Sequence, residues 1–278
     1  MHGRIGRIFF RQIFKTPGFD IVAVNDLGDL GNLAYLLKYD TVYGCYGEEV
    51  KADGDTLIVG GKKVQYLQVK EAKELPWKKL GVDIVIEATG VLESFEKARV
   101  HLDAGAKRVV LSAPAKDDDG DFGKTVLMGI NDGELETVEL SSNASCTTNA
   151  ASPVIQILSE NPGIKKAVLS TVHGYTATQN LVDGPTKGKD FRRGRAAAQN
   201  IVPSTTGAAV SVGKIIKELT GKFDGIAMRV PTVAGSIADI TFVAKRKTSV
   251  EEINRILTKA AGEKRWQGIL KVTKEQIV

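Results

Sequence analysis

Apolar positions over the first hundred residues switch repeatedly between two periods. Residues 4–14 space their apolar side chains as one face of a helix, and residues 19–25 form a short apolar run of buried-strand type ending at Asp26. Residues 29–39 are helical again. Residues 82–88 then read as a strand, 93–104 as a helix and 108–112 as a strand. Such strand–helix–strand alternation predicts a parallel, doubly wound α/β sheet of Rossmann type. Between these units, residues 48–67 carry the turn signals Ala52-Asp53-Gly54-Asp55 and Gly60-Gly61, which predict a small antiparallel insertion.

Past residue 145 the pattern changes. Residues 165–175, 225–231 and 238–245 read as longer strands, with helices over 207–219 and 250–261. Strict alternation is lost, which predicts an α+β domain on a mostly antiparallel sheet. The domain division therefore falls at 1–145 and 146–278. Residues 176–203, rich in Gly, Lys and Arg, form a long loop, and a loop of that length in a compact domain is usually functional.

Bulk properties change this picture little. The 278 residues are 42% hydrophobic and 26% charged, as in a soluble globular protein of one large or two ordinary domains. No run of about 18 apolar residues predicts a membrane span. Met1-His2-Gly3-Arg4 does not open a secretory signal. Two cysteines, Cys45 and Cys146, make sparse usage that suits a reducing compartment, so the chain reads as cytoplasmic. A net charge of +5 fits an enzyme handling phosphates as well as a weak nucleic-acid binder and decides nothing.

Two segments carry candidate chemistry. Ser142-Asn143-Ala144-Ser145-Cys146-Thr147-Thr148-Asn149 sets a thiol among small hydroxyl residues, just before apolar helical spacing at Ala151, Val154, Ile155 and Leu158. A thiol at a helix N-terminus feels the positive end of the dipole, which favours its thiolate. Pro153 disfavours a regular helix unbroken from Cys146, so either the first turn is irregular or the helix starts near Ala150. The second segment is Val172-His173-Gly174-Tyr175-Thr176-Ala177-Thr178. His173 ends a strand, where its imidazole could reach the thiol in space; His2 and His101 have no comparable setting. The bland alternatives are a buried structural cysteine and a satisfied core histidine.

In the first half, Gly3-Arg4-Ile5-Gly6 opens a helix and suits a phosphate-binding turn. The full glycine fingerprint is incomplete, with Met1 at its first position and no strand before it. Asp26 supports the reading. It stands 20 residues after Gly6 at a strand end, where a dinucleotide site places an acid on the adenosine ribose. A carboxylate there repels a 2′-phosphate, which favours NAD over NADP.

The octapeptide around Cys146 closely resembles the active-site segment of the phosphorylating glyceraldehyde-3-phosphate dehydrogenases. Residues 22–26 (VAVND), 87–90 (EATG), 111–116 (LSAPAK), 204–209 (STTGAA) and 228–232 (MRVPT) resemble that family too, in its order. The resemblance implies NAD as cofactor, with Arg4, Ile5, Gly6, Asn25, Asp26, Thr89, Gly90 and Ser112 lining it. It implies Cys146 as nucleophile and His173 as acid–base partner. Thr176, Thr178 and Arg229 would bind the phosphate of glyceraldehyde 3-phosphate, and Ser145, Thr147, Thr206 and Gly207 would bind inorganic phosphate. Thiolate attack gives a thiohemiacetal, hydride loss gives a thioester, and phosphorolysis releases 1,3-bisphosphoglycerate. A homotetramer is implied, with the long loop at a subunit contact. Arg192, Arg193 and Arg195 in that loop read as surface or subunit-contact residues. No metal, membrane or nucleic acid is called for.

Departures from the family concentrate at the ends. The chain lacks the family's first strand, and it stops at Val278 before the family's last strands and C-terminal helix, so it reads as truncated at both ends. Ala150 stands where the family often has a second cysteine, which is not in the mechanism. The rival substrate is erythrose 4-phosphate. Rivals of other classes are an inactive fragment acting as a binding module, through its basic loop, and a Cys–His acyl hydrolase, which would leave Asp26 unexplained.

Overall fold

The computed structural model describes residues 3–186 and 188–278; the expectations attached to Met1 and His2, and Lys187 of the long loop, lie outside the described residues. The chain divides into two compact units. The first is Met1–Lys124 with Glu136–Ser142, and the second is Thr125–Leu135 with Asn143–Val278.

The first unit opens with α1 (Arg4–Ile13), β1 (Ala23–Asn25) and α2 (Leu30–Lys38). Asp29 caps α2, accepting from the Asn32 N–H at 2.7 Å. A two-strand ladder, β2 (Tyr39–Asp40) with β3 (Gly44–Cys45), leads to β4 (Val50–Asp53), β5 (Thr56–Val59) and β6 (Lys62–Leu67). Strands β4, β5 and β6 pair antiparallel, the insertion expected from the Asp-Gly and Gly-Gly turns. β6 also runs parallel to β1, so the insertion is continuous with the nucleotide-domain sheet. Next come α3 (Trp77–Leu80), β7 (Ile84–Glu87), α4 (Phe95–Ala98), α5 (Val100–Asp103), β8 (Arg108–Leu111), β9 (Gly123–Thr125) and β10 (Leu140–Ser142). The second sheet has the order β7-β8-β10-β9, with β7–β8 and β8–β10 parallel.

Two local expectations are corrected here. The run 19–25 is a strand only over Ala23–Asn25, because Phe19 and Val22 are exposed and have no sheet face to cover. The single helix expected over 93–104 is two short helices meeting at Arg99. Among the described residues no strand precedes α1, and the parallel ladders of β1 and β7 belong to two separate four-stranded sheets. Two cores match those sheets. Phe10, Leu33, Leu37, Leu57 and Val59 pack one, and Trp77, Phe95, Val109, Leu111 and Leu140 the other.

The second unit is built on one mixed sheet. Helix α6 (Cys146–Glu160) is followed by β11 (Ile164–Gly174), β12 (Val202–Thr205), α7 (Ala208–Ile215), β13 (Phe223–Val230), β14 (Ser236–Ala244) and α8 (Val250–Ala261). The strand order is β12-β13-β11-β14; β12–β13 and β11–β14 are antiparallel and β11–β13 parallel. Period-two alternation puts Ala167, Leu169, Thr171 and His173 on the buried face of β11. There Ala167 and Leu169 join Ala151, Ile155 and Leu158 of α6 and Val212 of α7 in the unit's main core. No helix of the described residues is long and apolar enough to cross a membrane.

Candidate active site

Two structural facts bring the thiol and the imidazole together. Ser145 is the N-cap of α6, its hydroxyl accepting from the Thr148 N–H at 3.0 Å, so Cys146 is the first helical residue. The alternation along β11 turns His173 to the face that α6 covers. Cys146 Sγ and His173 Nε2 are 3.2 Å apart, although 27 residues separate them in sequence. Pro153 does not do what was expected of it. It lies inside an unbroken α6, where its missing N–H removes only the bond that Asn149 would have accepted. Cys146 therefore holds the helix start.

The charges on the pair follow from these neighbours. The His173 hydrogen bond, helped by the Thr147 N–H and hydroxyl and opposed by partial desolvation, holds the Cys146 thiol below its ordinary value. Reciprocally, the bond to Cys146 raises His173; burial works against this and the Gly174 carbonyl supports it. His173 Nδ1 lies 2.7 Å from that carbonyl, so the imidazolium can donate to sulfur through one nitrogen and to the backbone through the other. A Cβ on Gly174 would come within 2.8 Å of the Thr232 carbonyl oxygen, so only glycine fits at this corner.

Arg229 is in register with His173 across the parallel β11–β13 ladder. Its Nη1 donates to the Gly174 carbonyl at 3.1 Å and lies 2.7 Å from His173 Nδ1. Burial lowers the Arg229 guanidinium, the Cys146 sulfur counters this, and Arg193 adds to it. Thr176 and Thr178 share a hydroxyl–hydroxyl hydrogen bond of 3.0 Å at the start of the long loop. Arg193 is a correction to the surface reading of its charge run. It donates to the Thr178 hydroxyl at 3.1 Å and to the buried Ser204 hydroxyl at 2.9 Å. Arg192 and Arg195, both exposed, pair with Asp190 and Asp183, and Arg193 Nε also lies 3.8 Å from Asp190. Nothing in the run Arg-Arg-Gly-Arg distinguishes the inward member, because the choice is made by the 3-10 turn at Phe191–Gly194. Thr206 accepts from the Ala208 N–H at 3.2 Å, and Gly207 is the N-cap of α7 and makes no side-chain cap bond, so these two build the helix start.

In the first unit, the expected cofactor residues all stand at strand ends or at the α1 start. Gly3 caps α1 without any side-chain bond, Arg4 and Ile5 are exposed, and Gly6 is buried against the core. Asp26 follows β1 and accepts from the Gly28 N–H at 2.9 Å. Asn25 exchanges two 3.0 Å bonds with the backbone of Val69, so its amide braces the loop after β6. Thr89 and Gly90 follow β7, and Ser112 follows β8 with its N–H on the Glu87 carbonyl at 3.0 Å. Ligands of open parallel sheets bind at these carboxyl ends.

A dinucleotide-type α/β unit and a second unit carrying a thiol–imidazole pair among arginine and threonine side chains mark the class as a nicotinamide-linked oxidoreductase. Residues 2–95 match the family model described as the glyceraldehyde 3-phosphate dehydrogenase NAD binding domain, and residues 145–278 match that of its C-terminal domain. The glyceraldehyde-3-phosphate dehydrogenase of Mycolicibacterium smegmatis is 47% identical over 99% of this chain and 82% of its own length. Those of Streptomyces coelicolor and Geobacillus stearothermophilus are each 45% identical over 99% of this chain and 81% of their own. The chain belongs to the glyceraldehyde-3-phosphate dehydrogenase family, and its cofactor is NAD.

Proposed function

We propose that the chain oxidises and phosphorylates glyceraldehyde 3-phosphate to 1,3-bisphosphoglycerate in cytoplasmic glycolysis, with residues 1–145 as NAD-binding domain and 146–278 as catalytic domain. The observation that carries this is the 3.2 Å contact between Cys146 and His173, with Arg229 beside the same imidazole. Cys146 attacks the aldehyde carbon as thiolate, and the carbonyl oxygen becomes an alkoxide that takes the proton of His173 Nε2. His173 then withdraws that proton as the C–H bond breaks and the carbonyl re-forms as a thioester. NAD, when bound, supplies the acceptor for the departing hydride. A phosphate oxygen next attacks the thioester carbon, the C–S bond breaks, and the imidazolium again stabilises the thiolate that leaves.

The anion sites implied by the resemblance belong to the same proposal. Arg229, Thr176 and Thr178, with Arg193 added, supply the charge and hydroxyls for the substrate phosphate. Ser145, Thr147, Thr206 and Gly207 supply hydroxyls and helix-start amides for the attacking phosphate. The test is NADH formation with glyceraldehyde 3-phosphate, with and without inorganic phosphate, and with erythrose 4-phosphate in parallel. Phosphate-dependent turnover that prefers the triose is expected. Preference for the tetrose would transfer the assignment to that substrate, and phosphate-independent turnover would refute it.

Arg4, Ile5, Gly6, Asn25, Asp26, Thr89, Gly90 and Ser112 fit NAD. The uncapped α1 start offers amides to a pyrophosphate, and Asp26 offers a carboxylate to ribose hydroxyls. Replacing Asp26 by serine should raise kcat/KM with NADP relative to NAD by about tenfold or more, since about 1.4 kcal/mol of removed repulsion is one decade. An unchanged cofactor ratio would mean that Asp26 does not meet the ribose. A homotetramer is supported by the outward face of the second unit's sheet, where Val168, Ile226, Ile237 and Val243 are exposed, and by exposed Leu181, Val182 and Phe191 in the long loop.

A further inference from the structure

Beneath the exposed Thr89–Val91 turn lies a buried polar chain that the reaction does not use. Trp77, His101 and Glu87 are 6%, 4% and 6% exposed. Trp77 Nε1 is 3.1 Å from His101 Nδ1, and His101 Nε2 is 3.0 Å from Glu87 Oε2. The other carboxylate oxygen, Oε1, accepts the Thr89 N–H at 2.7 Å and the Thr89 hydroxyl. That hydroxyl in turn accepts the Val91 N–H at 3.1 Å.

Donor and acceptor rules fix every proton in this chain. An indole N–H can only donate, so His101 Nδ1 must be the acceptor and carry no proton. The imidazole is then the neutral Nε2–H tautomer, and it donates to Glu87. With three donors on its two oxygens, the Glu87 carboxylate is satisfied without a cation. Burial would raise this carboxyl, but the bonds from His101 and Thr89 outweigh burial and hold it below the ordinary value. Thr89 has no hydroxyl proton left to give to a ligand. Its side chain is spent on shaping the turn, in which Gly90 sits at φ 72°.

We infer that Glu87, oriented by His101 and Trp77, is a positioning residue for NAD: it sets the Thr89–Gly90 turn against which the cofactor binds. This rests on the reading of that turn as part of the cofactor site. Directional bonding distinguishes it from mere core filling, and the distinction can be measured. In Glu87→Gln the amide brings one donor where only acceptors fit. If its NH2 faces Thr89, it meets the Thr89 N–H. If its NH2 faces His101, the ring must accept at Nε2 and move its proton to Nδ1, where it meets the Trp77 N–H. Adding Trp77→Phe removes the indole donor, frees Nδ1 to carry the proton, and lets His101 accept from the amide.

NAD binding to the full chain, by calorimetric titration alongside thermal melting, tests this. Glu87→Gln should weaken NAD about tenfold, the equivalent of one lost buried hydrogen bond, while iodoacetamide reactivity of Cys146 stays unchanged. Glu87→Gln with Trp77→Phe should recover most of the lost affinity despite the smaller core side chain. A packing role predicts the reverse, because deleting indole volume would worsen the single variant. Unchanged binding in Glu87→Gln, or no recovery in the double variant, overturns the inference. Gly90→Val separates this from the underlying reading, since a β-branched residue is strained at that φ whatever Glu87 does. If Gly90→Val binds NAD normally, the turn is not at the cofactor, and reading and inference fall together. If it loses NAD while Glu87→Gln does not, only the inference falls.

Discussion

Cys146→Ser should lower phosphate-dependent NADH formation on the order of 10³-fold or more, with melting temperature and NAD affinity close to those of the parent. The side chain is exposed at the first position of α6, so losing sulfur there opens no cavity. What is lost is chemistry. The bond from His173 and the Thr147 donors hold the thiol below its ordinary value and favour its anion, but a serine hydroxyl starts far too high for the same neighbours. Cys45 provides an internal control, because both cysteines are free and exposed and differ mainly in environment. Cys45 lies 3.7 Å from the Tyr46 carbonyl, an acceptor that does nothing to stabilise a thiolate. Brief iodoacetamide treatment followed by peptide mapping should therefore modify Cys146 well ahead of Cys45. Equal labelling, or substantial turnover by the serine variant, would remove Cys146 from the role of nucleophile.

What could be read from sequence divides along a physical line. Short-range patterns were legible. The capped helix Val250–Ala261 has the bounds its spacing predicts, and Asp26 stands at a strand end 20 residues beyond Gly6, a distance set by one helix and the strand after it. Motif chemistry around Cys146 and His173 was legible as composition, but their meeting was not. It depends on which face of β11 receives His173 and on α6 covering that face, both tertiary facts. Pro153 shows a local rule overridden: a penalty of about 3 kcal/mol for interior proline is tolerated where the helix is buried in a core. Arg193 and His101 were missed for a related reason. Each is one of several similar residues, and only the fold selects Arg193 to face Thr178 and Ser204, or buries His101 between an indole and a carboxylate. A Trp, a Glu and a His spaced 10 and 14 residues apart carry no periodic signature.

His173→Asn should lower turnover by about 10²–10⁴-fold, the usual worth of a positioned acid–base group, and should also move the pH at which the thiol becomes reactive. The sign follows from the interaction itself. Imidazolium at 3.2 Å from sulfur stabilises the charged form of Cys146, so the thiolate appears at lower pH than for an unassisted cysteine at about 8.5. Rates of alkylation against pH should accordingly rise at a value below the ordinary thiol range in the parent. In the asparagine variant the imidazolium is gone and, of the two cations, only the Arg229 guanidinium still acts on the sulfur, so the rise should move upward toward that range. Arg229 supplies positive charge near the same ring but stands against Nδ1 and the Gly174 carbonyl, so it disfavours the imidazolium and cannot replace it. Two measurements then separate the two duties of His173. Loss of turnover at a pH where the variant's thiol is fully ionised reports missing proton transfer, and the displaced alkylation profile reports the missing ion pair. A profile that stays where the parent has it would show that α6 and the Thr147 donors alone depress the thiol, leaving His173 only its acid–base task.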